Sequence, residues 1–156
     1  MAVHVPFDLQ YEFAVKAAFA EVFTVLADVP VSASHFPRLH RLVDLGGNAF
    51  RWELERVGTE QIHIQTIYAS KYAANRRRGT VVWTPVEGEG NASVGGSWTI
   101  ARSKAGTQLV LKLHGELVVP LPALMEPIVA PLVLAENERL IEKYIDNLIQ
   151  RFGGEV

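Results

Sequence analysis

The sequence contains no cysteine. Disulfides, thiol nucleophiles and thiolate metal sites are thereby excluded, and the composition suits a reducing compartment, so the cytoplasm is the expected location. Net charge is also scarce: fifteen Lys and Arg stand against seventeen Asp and Glu, a formal charge of −2. No overall basic field exists to hold a polyanion, and nucleic acid is not an expected partner. Between Met1 and Phe7 there is no basic start followed by an apolar run, so no signal peptide is read there. No repeat, linker or low-complexity tract divides the chain, which predicts one domain over residues 1–156 with a shared core.

What the chain does have is apolar residues, 49% of the total against 21% charged, too many for a disordered polymer. The longest such stretch, Leu117 to Ala135, is interrupted by Glu126 and by Pro120, Pro122, Pro127 and Pro131. That pattern suits a strand end leading into a helix, not a transmembrane segment. A transient contact with a membrane or a protein partner through it stays open.

Periodicity gives the elements. Phe7, Leu9, Tyr11, Phe13 and Val15 share one parity, with Asp8, Gln10 and Glu12 on the other, as in a half-buried strand. From Ala17 the period changes: Phe19, Val22, Phe23 and Leu26 form the stripe of an amphipathic helix ending near Asp28-Val29-Pro30. A second short helix is expected over Val31 to Phe36. Alternation then returns in Leu39 to Leu45, Phe50 to Val57, Gln61 to Ala73, Thr80 to Val86, Ser93 to Arg102 and Thr107 to Val119. Short polar links rich in Gly and Asn join these runs, which predicts an antiparallel meander. From Ala123 to Phe152 a long amphipathic helix places Asn137, Leu140, Ile141, Tyr144, Ile145, Leu148 and Phe152 on one side.

The order strand, two short helices, six strands, long helix resembles the START/Bet v 1-like (SRPBCC) helix-grip superfamily, and within it the bacterial polyketide cyclase/dehydrase and lipid-transport branch. The resemblance rests on Glu21-Val22-Phe23 with Leu26-Ala27-Asp28 and Pro30, on Gly96-Ser97-Trp98-Thr99 followed by Gly106-Thr107-Gln108-Leu109, and on the Leu121-Pro122 lead-in to the last helix. It covers nearly the whole chain, and its weight lies in the order of the motifs. It implies an α+β helix-grip fold: a seven-stranded curved antiparallel sheet wrapped around the C-terminal helix, with a cavity between them. It also implies a hydrophobic ligand such as a lipid, an isoprenoid or an aromatic polyketide.

Strand parity nominates the lining of that cavity. Phe50, Trp52 and Leu54 face inward while Arg51, Glu53 and Glu55 take the wet face. The next strand directs Ile62, Ile64, Thr66, Tyr68, Ser70 and Tyr72 to one side. Trp83 with Val81, Trp98 with Ile100, and Leu109, Leu111 and Leu113 extend the same face. Asn137, Leu140 and Tyr144 come from the helix. The candidate ligand-binding set is therefore Phe50, Trp52, Leu54, Ile64, Thr66, Tyr68, Tyr72, Trp83, Trp98, Leu111, Leu113, Asn137, Leu140 and Tyr144. Such aromatics equally well fill an ordinary core, and Asn137 equally well bonds backbone or buried water.

No catalytic or metal residue is nominated, and no motif calls for a cofactor. His63 and His114 fall on the outward parity, on strands expected to lie three positions apart, about 14 Å at ~4.8 Å per strand, too far to share a metal. His35 and His40 have no Asp or Glu between them to complete a zinc site. Gly95-Gly96-Ser97-Trp98-Thr99 lacks the last glycine of a nucleophile elbow and sits in a strand, so Ser97 is rejected; the paired glycines predict a bulge or bend. Arg76-Arg77-Arg78 reads as a solvated hairpin turn. Three functions follow: a carrier for a hydrophobic small molecule, a cyclase or dehydratase acting in the same cavity, or an interaction protein in membrane-associated enzyme assembly. A carboxylate enters the cavity only as Glu136, if the helix is turned by one position. Oligomeric state is not set by the sequence.

Overall fold

A computed structural model describes residues 2–58 and 63–156. The elements in chain order are β1 (Val3–Val15), α1 (Phe19–Ala27), α2 (Val29–Ala33), β2 (Leu39–Gly46), β3 (Ala49–Leu54), β4 (Val57–Gly58), β5 (His63–Ile64), β6 (Ile67–Asn75), β7 (Thr80–Pro85), β8 (Ala92–Ser103) and β9 (Gly106–Val119). A single 3-10 turn, Ala123–Met125, leads into α3 (Glu126–Arg151). Seven strands form one antiparallel sheet in the order β1-β9-β8-β7-β6-β3-β2. This is the α+β helix-grip architecture: β2 to β9 meander, and β1 closes the far edge against β9, from Val3↔Val119 to Val15↔Thr107.

The sheet's inner face and the C-terminal half of α3 share the main core. Phe13, Val15, Val81, Trp98, Ile100, Leu109 and Leu111 meet Ile141, Tyr144, Ile145 and Leu148, with Val22 and Leu26 of α1 closing one side. The strand parity that exposes Asp8, Gln10 and Glu12 is the one that turns Phe13 and Val15 inward. Two cations lie over the rings that seal this end: Arg102 sits 4.2 Å from the Phe19 ring centre and Arg76 5.3 Å from that of Phe23. Arg76, Arg77 and Arg78 are exposed in the β6–β7 turn.

Four local expectations change. The second helix begins earlier, at Val29, because Asp28 accepts a hydrogen bond from Val31 N at 3.3 Å and Pro30 occupies the first turn, where its missing N–H is harmless. The run read as one strand from Gln61 to Ala73 is divided. Ile64 pairs with Val57 in a separate two-stranded ribbon, and the main-sheet strand begins at Ile67; Gln61 and Ile62 lie outside the described residues. The break at Gln65-Thr66 is bridged sideways: Leu54 N donates to Thr66 O at 3.0 Å and Gln65 Nε2 to Leu54 O at 2.9 Å. His63 is therefore not on the main sheet, and the strand count that separated it from His114 does not apply.

The glycine pair makes no bulge. Register runs unbroken through Gly95↔His114 and Gly96↔Leu113. A Cβ on Gly96 would instead collide with the carbonyl of Lys112 and lie 2.9 Å from Trp83 Cζ2, so the missing side chain is what lets the indole lie on the strand. The register shifts between β2 and β3, near Arg41 and Gly46. Glu53, expected on the wet face, is buried there under two arginines: Arg41 Nη2 at 3.0 Å and Arg51 Nε at 2.9 Å. The hydrogen bond from Arg41 leads in holding its carboxyl below the usual range.

Candidate functional site

Two adjoining cavities lie between the sheet and α3. The inner one, of about 90 Å³, is walled by rings. Trp52 from β3, Tyr68 and Tyr72 from β6, Trp83 from β7 and Trp98 from β8 face Tyr144 from α3, with Phe36 closing the side below α2. Trp52 and Tyr68 stack at 5.8 Å between centroids, and Tyr72 leans on Trp83 at 5.5 Å. The three tryptophans thus share the concave face, as parity requires for positions 52, 83 and 98.

Hydrogen bonds fix two of the phenols. Trp52 Nε1 donates to Tyr72 Oη at 2.9 Å, and the Tyr144 hydroxyl shares a hydrogen bond with Ser32 Oγ at 2.5 Å. Burial raises the pKa of Tyr144 to about 12, against the opposing pull of its hydrogen bond with Ser32 and of the nearby Trp98 indole. Tyr72 is pushed up as well, chiefly by burial, and Tyr68 is pushed well above the ordinary value by burial and by its tyrosine neighbours. Tyr68 keeps some accessible surface, as a ring on a cavity wall does, yet protein surrounds it closely enough to penalise a phenolate. All three are neutral phenols near neutral pH. No described His, Asp or Glu lines the inner cavity.

The outer cavity, of about 210 Å³, is walled mainly by aliphatic side chains: Val5, Ile64, Ala92, Leu117, Leu132, Val133, Leu134 and Leu140. Its charged residues are Arg38, Glu55 and Glu136. Arg38 Nε lies 3.7 Å from Glu55 Oε1, both about half exposed, and Glu136 is bound two-pronged by Arg139. Phe7, Leu54, Thr66 and Asn137 line both cavities and form the neck between them.

Of the nominated residues, Trp52, Leu54, Thr66, Tyr68, Tyr72, Trp83, Trp98, Leu111, Leu113, Asn137 and Tyr144 border the inner cavity. Ile64 and Leu140 border only the outer one. Phe50 borders neither; its ring packs edge-on against Tyr72 at 6.1 Å. Val81, put on the inner face by parity, lines the inner cavity too, whereas Phe7, Leu26, Val29, Ser32, Phe36, Val94 and Ile141 were not nominated as lining residues. Phe7 and Ile141 carried a signal, since each sits on an apolar stripe. Ser32 carried none, because a serine in a short helix is ordinary until Tyr144 is placed beside it. His114 is exposed on the outer face of β9, and His63 is exposed too. Among the described residues no group of three His, Asp or Glu is arranged to hold a metal. No described helix is long and apolar enough to cross a membrane.

No protein-family model matches the sequence, and no curated protein matches it. Solved structures do. A protein of Thermus thermophilus superposes with a TM-score of 0.64 at 16% identity, covering 96% of each chain. A START superfamily protein from Mycobacterium smegmatis gives 0.63 at 13% identity, covering 95% of this chain and 97% of that one. The chain has the helix-grip fold. The Zhui aromatase/cyclase of a Streptomyces species has the same helix-grip fold, with a TM-score of 0.59 at 20% identity over 93% of this chain and 90% of that one. At these identities the likeness establishes the fold; the chemistry of this helix-grip protein has to be argued from its own cavity.

Proposed function

We propose that this protein binds or carries a hydrophobic, ring-containing small molecule in the aromatic cavity. The observation that carries the reading is the wall itself: three tryptophans and three tyrosines surround a space with no ionisable group that titrates near neutral pH. Flat stacked rings favour a flat ligand, and the few hydroxyl and amide groups suit orienting a carbonyl or hydroxyl. An aromatic polyketide meets that description, as does a lipid or isoprenoid that carries a ring, and the fold shared with an aromatase/cyclase is consistent with it.

The enzymatic alternative needs an acid or base shielded in the cavity. Glu55 and Glu136 border only the outer space, where each is partly exposed and paired with an arginine, so the carrier reading is preferred. The test is titration with a neutral fluorescent probe, 1-aminoanthracene, reading energy transfer from the tryptophans. Saturable binding that weakens in Trp52→Leu is the expected result. A folded wild-type protein that binds no probe, and from which native mass spectrometry detects no copurifying small molecule, would overturn the reading.

A further inference from the structure

The two cavities differ in chemistry, and the neck differs from both. Inside lie stacked rings; outside lie aliphatic side chains; between them, Thr66 and Asn137 place a hydroxyl and an amide beside Phe7 and Leu54. We infer that the ligand is a three-part molecule, an aromatic ring joined through a carbonyl group to an aliphatic chain, with the carbonyl seated at the neck. The inference rests on the carrier reading and specifies its ligand class: aryl alkyl ketones, esters or amides.

Three arguments converge. Size comes first: at about 90 Å³ the inner cavity is well below the roughly 300–1,000 Å³ typical of pockets that enclose a whole ligand, so it takes one part of a molecule whose remainder occupies the larger outer space. Wall chemistry comes second. The rings of Trp52, Tyr68, Tyr72, Trp83, Trp98 and Tyr144 give the inner wall flat aromatic surfaces suited to a ring, whereas Val5, Ile64, Leu117 and Leu134 offer no flat face and match a flexible chain. The polar pair comes third. A group buried between two apolar spaces is tolerated only when hydrogen-bonded, and Thr66 Oγ1 and Asn137 Nδ2 are both donors able to serve an acceptor that has none of its own. In the inner wall the Tyr72 oxygen accepts from Trp52 and the Tyr144 hydroxyl shares a hydrogen bond with Ser32.

The experiment displaces bound 1-aminoanthracene from the full chain with alkyl phenyl ketones from acetophenone to octanophenone. Alkylbenzenes of equal length and the ringless 2-decanone serve as comparisons. Affinity is expected to rise roughly fourfold per methylene until the outer cavity is full. Each ketone should exceed its carbonyl-free counterpart by about fivefold, the value of one ordinary hydrogen bond. Asn137→Leu should abolish that carbonyl preference, and Thr66→Val provides the same reading if the first variant does not fold. Ala92→Phe, which fills the outer space from β8, should stop the chain-length gain at a shorter ketone. A wild-type protein that holds the probe but shows no chain-length gain, no carbonyl preference, or equal affinity for 2-decanone overturns the three-part ligand and leaves the carrier reading standing. Absence of probe binding overturns both.

Discussion

The two halves of α3 differ in apolarity, and the more apolar one is the less buried. From Leu140 to Leu148 the helix buries Leu140, Ile141, Tyr144, Ile145 and Leu148 against the curved sheet. From Glu126 to Ala135 it buries Val129 alone, while Ile128 and Leu132 remain 65% and 67% exposed. Three prolines, at 122, 127 and 131, mark the less buried half and the turn before it. The most apolar stretch of the chain is thus not its best-packed one. Hydropathy reports what a segment would gain from burial; whether it is buried depends on which surface lies opposite, and the first half meets the β1/β9 end of the sheet chiefly through Val129.

The largest test of this contrast is a matched pair of truncations. Leu148→Ala, at a fully buried position, should lower stability by about 2–5 kcal/mol in urea denaturation. If it costs under 1 kcal/mol, the gripped half is not packed as described. Next comes Tyr144→Phe, which leaves the buried Ser32 hydroxyl without its partner and should cost about 1–3 kcal/mol.

Alkali probes the same half without mutation. Burial raises the Tyr144 pKa in the folded state to about 12, above its unfolded value, so its stabilising contribution is complete below about pH 10. It is lost as pH rises from there through the folded value, because the unfolded chain releases the proton first. Tyr68 and Tyr72 shift in the same direction. Stability should be insensitive to these phenols at pH 7–9 and fall above about pH 10, by on the order of 1 kcal/mol per pH unit for each. A Tyr144→Phe protein with an unchanged alkaline slope would contradict that assignment.

Smaller effects belong to the other half. Amides of residues 128–135 should exchange with solvent faster than those of 141–148, since few buried contacts oppose local opening there. Leu132→Ala should change stability by no more than about 0.5 kcal/mol. A loss of several kcal/mol would mean that this face is covered.

Much of this was legible in the sequence because period-two and period-3.6 patterns report which side of an element is apolar. Trp52, Trp83 and Trp98 were placed on one face from parity alone, and Asn137 was placed beside Leu140 and Tyr144 from helical spacing. What escaped has a common cause. The Gln65-Thr66 break depends on bonds made to Leu54, a residue on another strand, and periodicity within one segment carries no trace of it. Gly95-Gly96 reads as a bulge or bend because a glycine pair signals irregular backbone; that no bulge forms, and that the Lys112 carbonyl and the Trp83 indole crowd Gly96, is visible only across strands. Ser32 and Phe36 reach the cavity from α2 and the turn after it, too short for any period to emerge. Phe50 obeyed parity yet missed the cavity, since parity fixes a side of the sheet and not a distance along it.

The pairing of β1 with β9 also constrains how the chain reaches this state. On a ribosome β1 emerges before the other strands described, and its neighbour in the sheet, β9, is completed at Val119, after all of them. Until then β1 presents an open edge beside Val3, Val5, Phe13 and Val15, side chains that end up buried. Local hairpins such as β6–β7 form early, but the enclosing step must wait for contacts that span most of the sequence, and such long-range closure is slow. The nascent protein therefore passes through an extended interval with β1 sticky and unpaired, the period in which intermolecular strand pairing and aggregation compete with folding.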